Sequence, residues 1–184
     1  MRRRTLWLSA LTLAVLAGCA TVVPPTVAPD PLARSYAGRL AVKVEGDDAR
    51  SFTAGFDLQG TDTRGQLVLT SPIGTQVGRA VWQPGAVLWQ SADGDHRFDN
   101  LDALAEEMLG EAVPLAALFD WMAGRPWSAL PSRPLTAADG VGAETGFRQL
   151  GWTVQTGRVA DGVIVAQRRL PAPTLTVRIK LDTP

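Results

Sequence analysis

From Tyr36 onward apolar and polar residues alternate along the chain. Leu40, Val42 and Val44 share one face of an extended segment, with Arg39, Lys43 and Glu45 on the other, the period-two signature of a strand with one buried side. Phe52, Ala54, Phe56 and Leu58 repeat the pattern before Gly60 opens a turn. Shorter runs follow at Gln66 to Thr70, Val77 to Gln83 and Ala86 to Ser91, the last two joined across Pro84-Gly85. The theme returns in Trp152 to Thr156 and Val163 to Arg169. It is most regular in Leu175, Val177, Ile179 and Leu181, where Thr176, Arg178 and Lys180 face away. Short strands separated by turn signals predict an antiparallel meander.

Between these two sets of strands the period changes. Leu101, Leu104, Ala105 and Met108 follow helical spacing, with Asn100 placed to cap the start and Gly110 to close the end. A second helical stripe holds Leu115, Leu118, Phe119 and Met122, with Pro114 at a first-turn position, Gly124 as a stop and Pro126 beyond it. The expected fold is mainly β with a helical insert: a long, curved antiparallel sheet whose concave apolar face is partly covered by two helices. Such a shape either packs solid or encloses a cavity, and periodicity does not choose between the two.

The N-terminus obeys a different logic. Arg2, Arg3 and Arg4 precede the apolar run Leu6 to Leu16, which is too short to span a bilayer as a stable helix and reads as a cleavable export signal. It ends in Leu16-Ala17-Gly18-Cys19, which resembles the lipobox of bacterial lipoproteins. That resemblance implies a diacylglyceryl thioether on Cys19, cleavage before it, and acylation of the new amino terminus. Several acyl chains hold a protein to a membrane stably. Ala20 takes the place of the aspartate that retains enterobacterial lipoproteins in the inner membrane, so the implied address is the periplasmic face of the outer membrane. Cys19 is the single cysteine, so no intramolecular disulfide forms in that oxidising compartment. Four prolines between Ala20 and Pro31 favour an extended tether. The expected organisation is a signal over residues 1–18, the lipidated cysteine and tether over 19–34, and a folded domain over 35–184.

Charge and chemistry then narrow the function. With 18 positive and 18 negative side chains, and a basic cluster only in the signal, the chain lacks the basic stripe of a nucleic-acid binder. His96 is the only histidine, and Asp93-Gly94-Asp95 beside it reads as a hairpin turn rather than a ligand set. No Gly-x-Ser-x-Gly elbow or phosphate loop is present, and the adjacent Glu106 and Glu107 point in different directions on a helix. No catalytic residue, metal ligand or cofactor is expected.

What stands out is apolar. Beyond Trp7 of the signal, Trp82, Trp89, Trp121, Trp127 and Trp152 are many for one domain. They serve either as core packing or as the lining of an adaptable hydrophobic pocket, to which Met108 and Met122 add softness. On the pocket reading the candidate lining is Leu40, Phe52, Phe56, Trp82, Trp89, Met108, Leu118, Trp121, Met122 and Trp152. Ile73 is a sharper clue, because Pro72-Ile73-Gly74 between two strands predicts an exposed turn, where a β-branched apolar side chain is unfavourable. Either the loop folds back to bury Ile73, or something outside uses it.

These residues carry a resemblance. Gly38-Arg39-Leu40-Ala41-Val42, Phe52-Thr53-Ala54-Gly55-Phe56-Asp57, Leu69-Thr70-Ser71-Pro72-Ile73-Gly74-Thr75 and Trp121-Met122-Ala123-Gly124-Arg125-Pro126, in that order, resemble the outer-membrane lipoprotein receptor LolB family. The resemblance implies an unclosed β-barrel with a helical lid over a hydrophobic cavity, similar to the soluble periplasmic carrier LolA. It also implies that the turn at Ile73, commonly leucine in the family, helps insert cargo into the membrane. The implied partners are LolA, acylated cargo lipoproteins and outer-membrane lipid, with the receptor itself a monomer and no nucleotide involved. Two other classes compete: a structural envelope lipoprotein whose sheet is filled by its own side chains, and a tethered hydrolase, for which no nucleophile or carboxylate pair is found.

Overall fold

A computed structural model describes residues 33–139 and 145–182. The expected signal, Cys19 and nearly all of the tether lie outside the described residues. Eleven antiparallel strands form one sheet in the order β6-β5-β4-β3-β2-β1-β11-β10-β9-β8-β7, with β6 and β7 as its free edges. The first six are β1 (Arg34–Val44), β2 (Asp47–Gly60), β3 (Gly65–Thr70), β4 (Gln76–Gln83), β5 (Ala86–Ser91) and β6 (Gly94–Phe98). Helices α1 (Leu101–Leu109) and α2 (Leu115–Met122) follow. The chain then adds β7 (Ser132–Pro134), β8 (Gly146–Gln149), β9 (Trp152–Gln155), β10 (Val163–Arg168) and β11 (Leu175–Leu181). The architecture is the helix-covered antiparallel sheet that the pattern predicts, not closed into a barrel, as the resemblance implies.

Register merges the separately read apolar faces into one surface. Leu40 lies between Ala54 and Ile179, and Val42 between Phe52 and Val177, so side chains of three strands point to the same inner side. A single buried cluster runs from these positions to Leu104, Ala117, Trp121 and Trp152.

Three strands were not expected. β6 is exposed along nearly its whole length and shows no alternation; backbone pairing with β5 holds it, with Phe98 at its end packed against the core. β7 is an exposed edge strand that tolerates Pro134. In β8 the inward positions are Phe147 and Gln149, and a buried glutamine hides the apolar period.

The helix ends follow local chemistry. Asn100 accepts the Ala103 N–H at 2.8 Å, and Gly110 closes α1 in the left-handed conformation with its N–H on the Glu106 carbonyl at 2.7 Å. Pro114 stands one residue ahead of α2 instead of within its first turn, and its carbonyl accepts from Leu118.

Strand direction sorts the turns between two ends. The β1–β2, β3–β4 and β5–β6 turns share one end, and because β11 runs antiparallel to β1, the β10–β11 and β8–β9 turns join them there. The β2–β3 and β4–β5 turns and the start of β1 lie at the other end.

Candidate functional site

Under the helices the inner face does not pack solid. A partly open apolar cavity of about 70 Å³ remains. Leu40, Phe56, Leu58, Leu67, Trp82 and Ile179 line it from the sheet, and Leu101, Leu115, Leu118, Phe119 and Met122 from the two helices. Every lining side chain is apolar, and the one polar handle among them, Trp82 Nε1, donates outside the cavity to the Thr61 carbonyl at 3.0 Å. Trp82 meets Phe119 edge to face at 5.9 Å, which fixes the aromatic wall beneath α2.

Of the residues singled out as lining, Leu40, Phe56, Trp82, Leu118 and Met122 come together there. The others do not. Met108 lies on the outer side of α1, 38% exposed, because its place in the helical stripe falls past the turn that faces the sheet. Trp89 is spent on close packing over Gly78, where any Cβ would collide with the indole. Trp121 and Trp152 pack against each other at 6.1 Å in the solid part of the core, and Trp121 also meets Phe147. Phe52 is half-buried against the core outside the cavity wall. The lining residues missed were aliphatic or lay on stripes already visible, such as Leu58, Leu67, Leu115 and Ile179. The emphasis on tryptophan and methionine passed over them.

Polar contacts fasten the helical cover at both ends. At one, Arg34 Nη1 donates to the Phe119 carbonyl at 3.2 Å and pairs with Asp120 at 2.9 Å, while the Tyr36 hydroxyl reaches the same carbonyl. The Asp120 carboxylate, also paired with Arg125 at 2.7 Å, holds the Arg34 guanidinium above its ordinary pKa by hydrogen bonding. At the other, the connector between α1 and α2 is held by Arg168, which pairs with Glu111 and donates to the Ala112 carbonyl at 3.4 Å.

Ile73 is not folded back. It is 89% exposed at the β3–β4 turn. The turn satisfies its own backbone: Ser71 N–H donates to Thr75 O at 2.7 Å, Gly74 N–H to Ser71 O at 2.9 Å, and Thr75 N–H to Ser71 Oγ at 3.2 Å. Pro72 has no N–H, and Gly74 supplies the positive φ of 85° the turn requires.

A protein family described as "Outer membrane lipoprotein LolB" matches residues 33–183. The chain belongs to the LolB family. Relatives named outer-membrane lipoprotein LolB include one from Bordetella petrii, 34% identical over 97% of this chain and 92% of that protein. Another, from Chromobacterium violaceum, is 30% identical over 88% of this chain and 86% of its own. A third, from Thiobacillus denitrificans, is 35% identical over 76% of this chain and 75% of its own. The LolB match spans both sets of strands and the helices between them, so the cavity, its cover and the Ile73 turn all fall within it.

His96 sits exposed on edge strand β6, opposite Trp89. Asp93 lies in the β5–β6 turn, and Gly94 opens β6 with a φ of 119°.

Proposed function

We propose that this protein is an outer-membrane lipoprotein receptor that accepts acylated lipoproteins from the soluble carrier LolA and inserts them into the outer membrane. What supports this reading most is a wholly apolar cavity beneath a helical cover that is held by polar, breakable contacts. Family membership points the same way, since the relatives are named outer-membrane lipoproteins. In this reading Cys19 carries the diacylglyceryl and N-acyl groups that keep the receptor on the periplasmic face.

The cavity, about 70 Å³, is well short of the roughly 300 Å³ at which ligand sites begin. An acyl chain therefore enters only as α2 lifts from the sheet, and the side chains that close over empty space become the walls of an occupied groove. Release into water is not an option for the cargo. At about 0.8 kcal/mol per methylene, a long acyl chain faces a barrier of order ten kcal/mol, so handover proceeds by direct contact. No bond is made or broken, and direction comes from successively tighter binding by carrier, receptor and bilayer. Ile73, exposed on a turn whose backbone donors are largely paired, enters the bilayer with little polar group to desolvate.

The test is transfer of an acylated lipoprotein from purified LolA to this protein and on to liposomes, with Ile73→Glu alongside. The expected result is that both proteins take cargo and only the unchanged one delivers it. If a folded protein takes no cargo, the receptor reading fails and a structural role in the envelope replaces it.

A further inference from the structure

Ile73 is not alone at its end of the sheet. The β10–β11 turn carries Leu170, 79% exposed, and the β8–β9 turn carries Leu150, 40% exposed. Both turns lie at the same end as the β3–β4 turn by strand direction. The opposite end presents Thr63 and Pro84-Gly85 at its hairpin tips, and its one exposed large hydrophobic turn residue among those described, Val159 in the β9–β10 connection, is 36% exposed and packs against Gly124.

Each of these turns departs from what a solvated tip favours. Leu150-Gly151 joins β8 to β9 with φ of 53° and 79°, a two-residue turn that suits Asn-Gly; Leu150 is the only non-glycine residue with positive φ among the described residues. A branched apolar side chain there is unfavourable both for the backbone and in water, and such local cost is characteristic of functional positions. The β10–β11 turn reads Arg169-Leu170-Pro171-Ala172-Pro173-Thr174, with its one charge, the exposed Arg169, beside β10, none at its tip, and two residues without an N–H to desolvate. The Ile73 turn is likewise uncharged and has one residue without an N–H, Pro72.

The two remaining turns at this end are different. The β1–β2 turn carries Glu45 and Asp47, and the β5–β6 turn Asp93. Carboxylates stay at headgroup level, which limits the apolar tips to shallow entry.

We propose that Leu150 and Leu170 are further bilayer contacts which, with Ile73, seat this end of the unclosed barrel on the membrane at three points. This rests on the reading of Ile73 as a membrane-inserting residue. Three separated contacts fix the orientation of the barrel against the lipid surface, which one turn cannot do.

The test uses the full chain, produced with its own anchor and reconstituted in phosphatidylethanolamine–phosphatidylcholine vesicles containing nitroxide-labelled lipid. Ile73→Cys, Leu150→Cys, Leu170→Cys and Thr63→Cys each receive an environment-sensitive fluorophore; the unsubstituted protein, with its only thiol acylated, is the blank. The expected result is loss of most emission and a blue shift at 73, 150 and 170, with neither at 63. Quenching at 73 but not at 150 and 170 overturns the three-point seat and leaves the Ile73 reading standing. Quenching at none of the three overturns both, and equal quenching at 63 overturns the orientation.

Discussion

The Trp121 indole N–H donates to Gln149 Oε1 at 2.9 Å, joining the end of α2 to an inward position of β8. Gln149 is itself 2% exposed and uses its whole amide: Oε1 also accepts from Trp127 N–H, and Nε2 donates to the carbonyls of Trp127 and Leu130, each at 2.7 Å. A buried polar group of this kind is tolerated because every bond is made. It ties the C-terminal turn of α2 and the chain that leaves it to β8.

Gln149→Leu is expected to destabilise the fold by about 3 kcal/mol, since it orphans the Trp121 and Trp127 donors and two carbonyls, some of which water still reaches. Urea unfolding measures it. A cost below about 1 kcal/mol would mean that the amide is not the organising contact.

The Arg168 pair makes an opposite case. Its side chain, 8% exposed, lies over the Trp152 ring at 5.8 Å and pairs with Glu111, which is 14% exposed and also reached by Arg50 at 3.4 Å. Removing one partner strands a largely buried charge, so Glu111→Ala should cost about 3 kcal/mol. Removing both charges with Arg168→Met and Glu111→Leu should cost less than Glu111→Ala alone, because the desolvated cation goes too. Chemical denaturation of the three proteins decides the order; a double variant less stable than the single one would contradict it.

These two clusters show what the sequence leaves unreadable. Periodicity exposed the long strands, both helices and the turn at Ile73, since each depends on local spacing or on local turn chemistry. It did not expose β8, where the apolar period is interrupted by Gln149, a residue buried only because Trp121, Trp127 and Leu130 converge on it from 19 to 28 positions away. Cavity lining was read halfway. The stripes were visible, but whether Trp82 or Trp89 faces empty space depends on Gly78, which draws Trp89 down onto β4.

Acid should loosen the corner after β7. Asp139 accepts from Arg133 Nη2 at 2.7 Å, from Thr136 N–H at 2.8 Å and from Arg148 at 3.3 Å, and these bonds, that of Arg133 foremost, hold its carboxyl well below the usual carboxylate range. A carboxyl depressed on folding stabilises the fold fully above its unfolded value, near 4, and loses that contribution as pH falls below it. Asp139→Asn should therefore be less stable than the unchanged protein at neutral pH, with the gap closing as the medium is acidified below about pH 4. Denaturation at several pH values checks this, and a gap independent of pH would show that the carboxylate charge is not involved.

The cavity itself yields to a charge placed on its cover. Leu118 is half-buried on α2 and lines the space, so Leu118→Asp leaves most of the core intact. A carboxylate facing an acyl chain both removes apolar contact and resists desolvation, and affinity for a fluorescent fatty acid should fall at least about thirtyfold, the equivalent of roughly 2 kcal/mol. Leu118→Met keeps volume and apolarity and should bind within about threefold of the unchanged protein. Ile73→Glu lies outside the cavity and should bind the probe unchanged while failing in delivery, so the pair separates holding the acyl chain from releasing it. If Leu118→Asp bound the fatty acid as tightly as Leu118→Met, the chain would occupy some other surface, and the cavity beneath α2 would be a packing defect rather than a site.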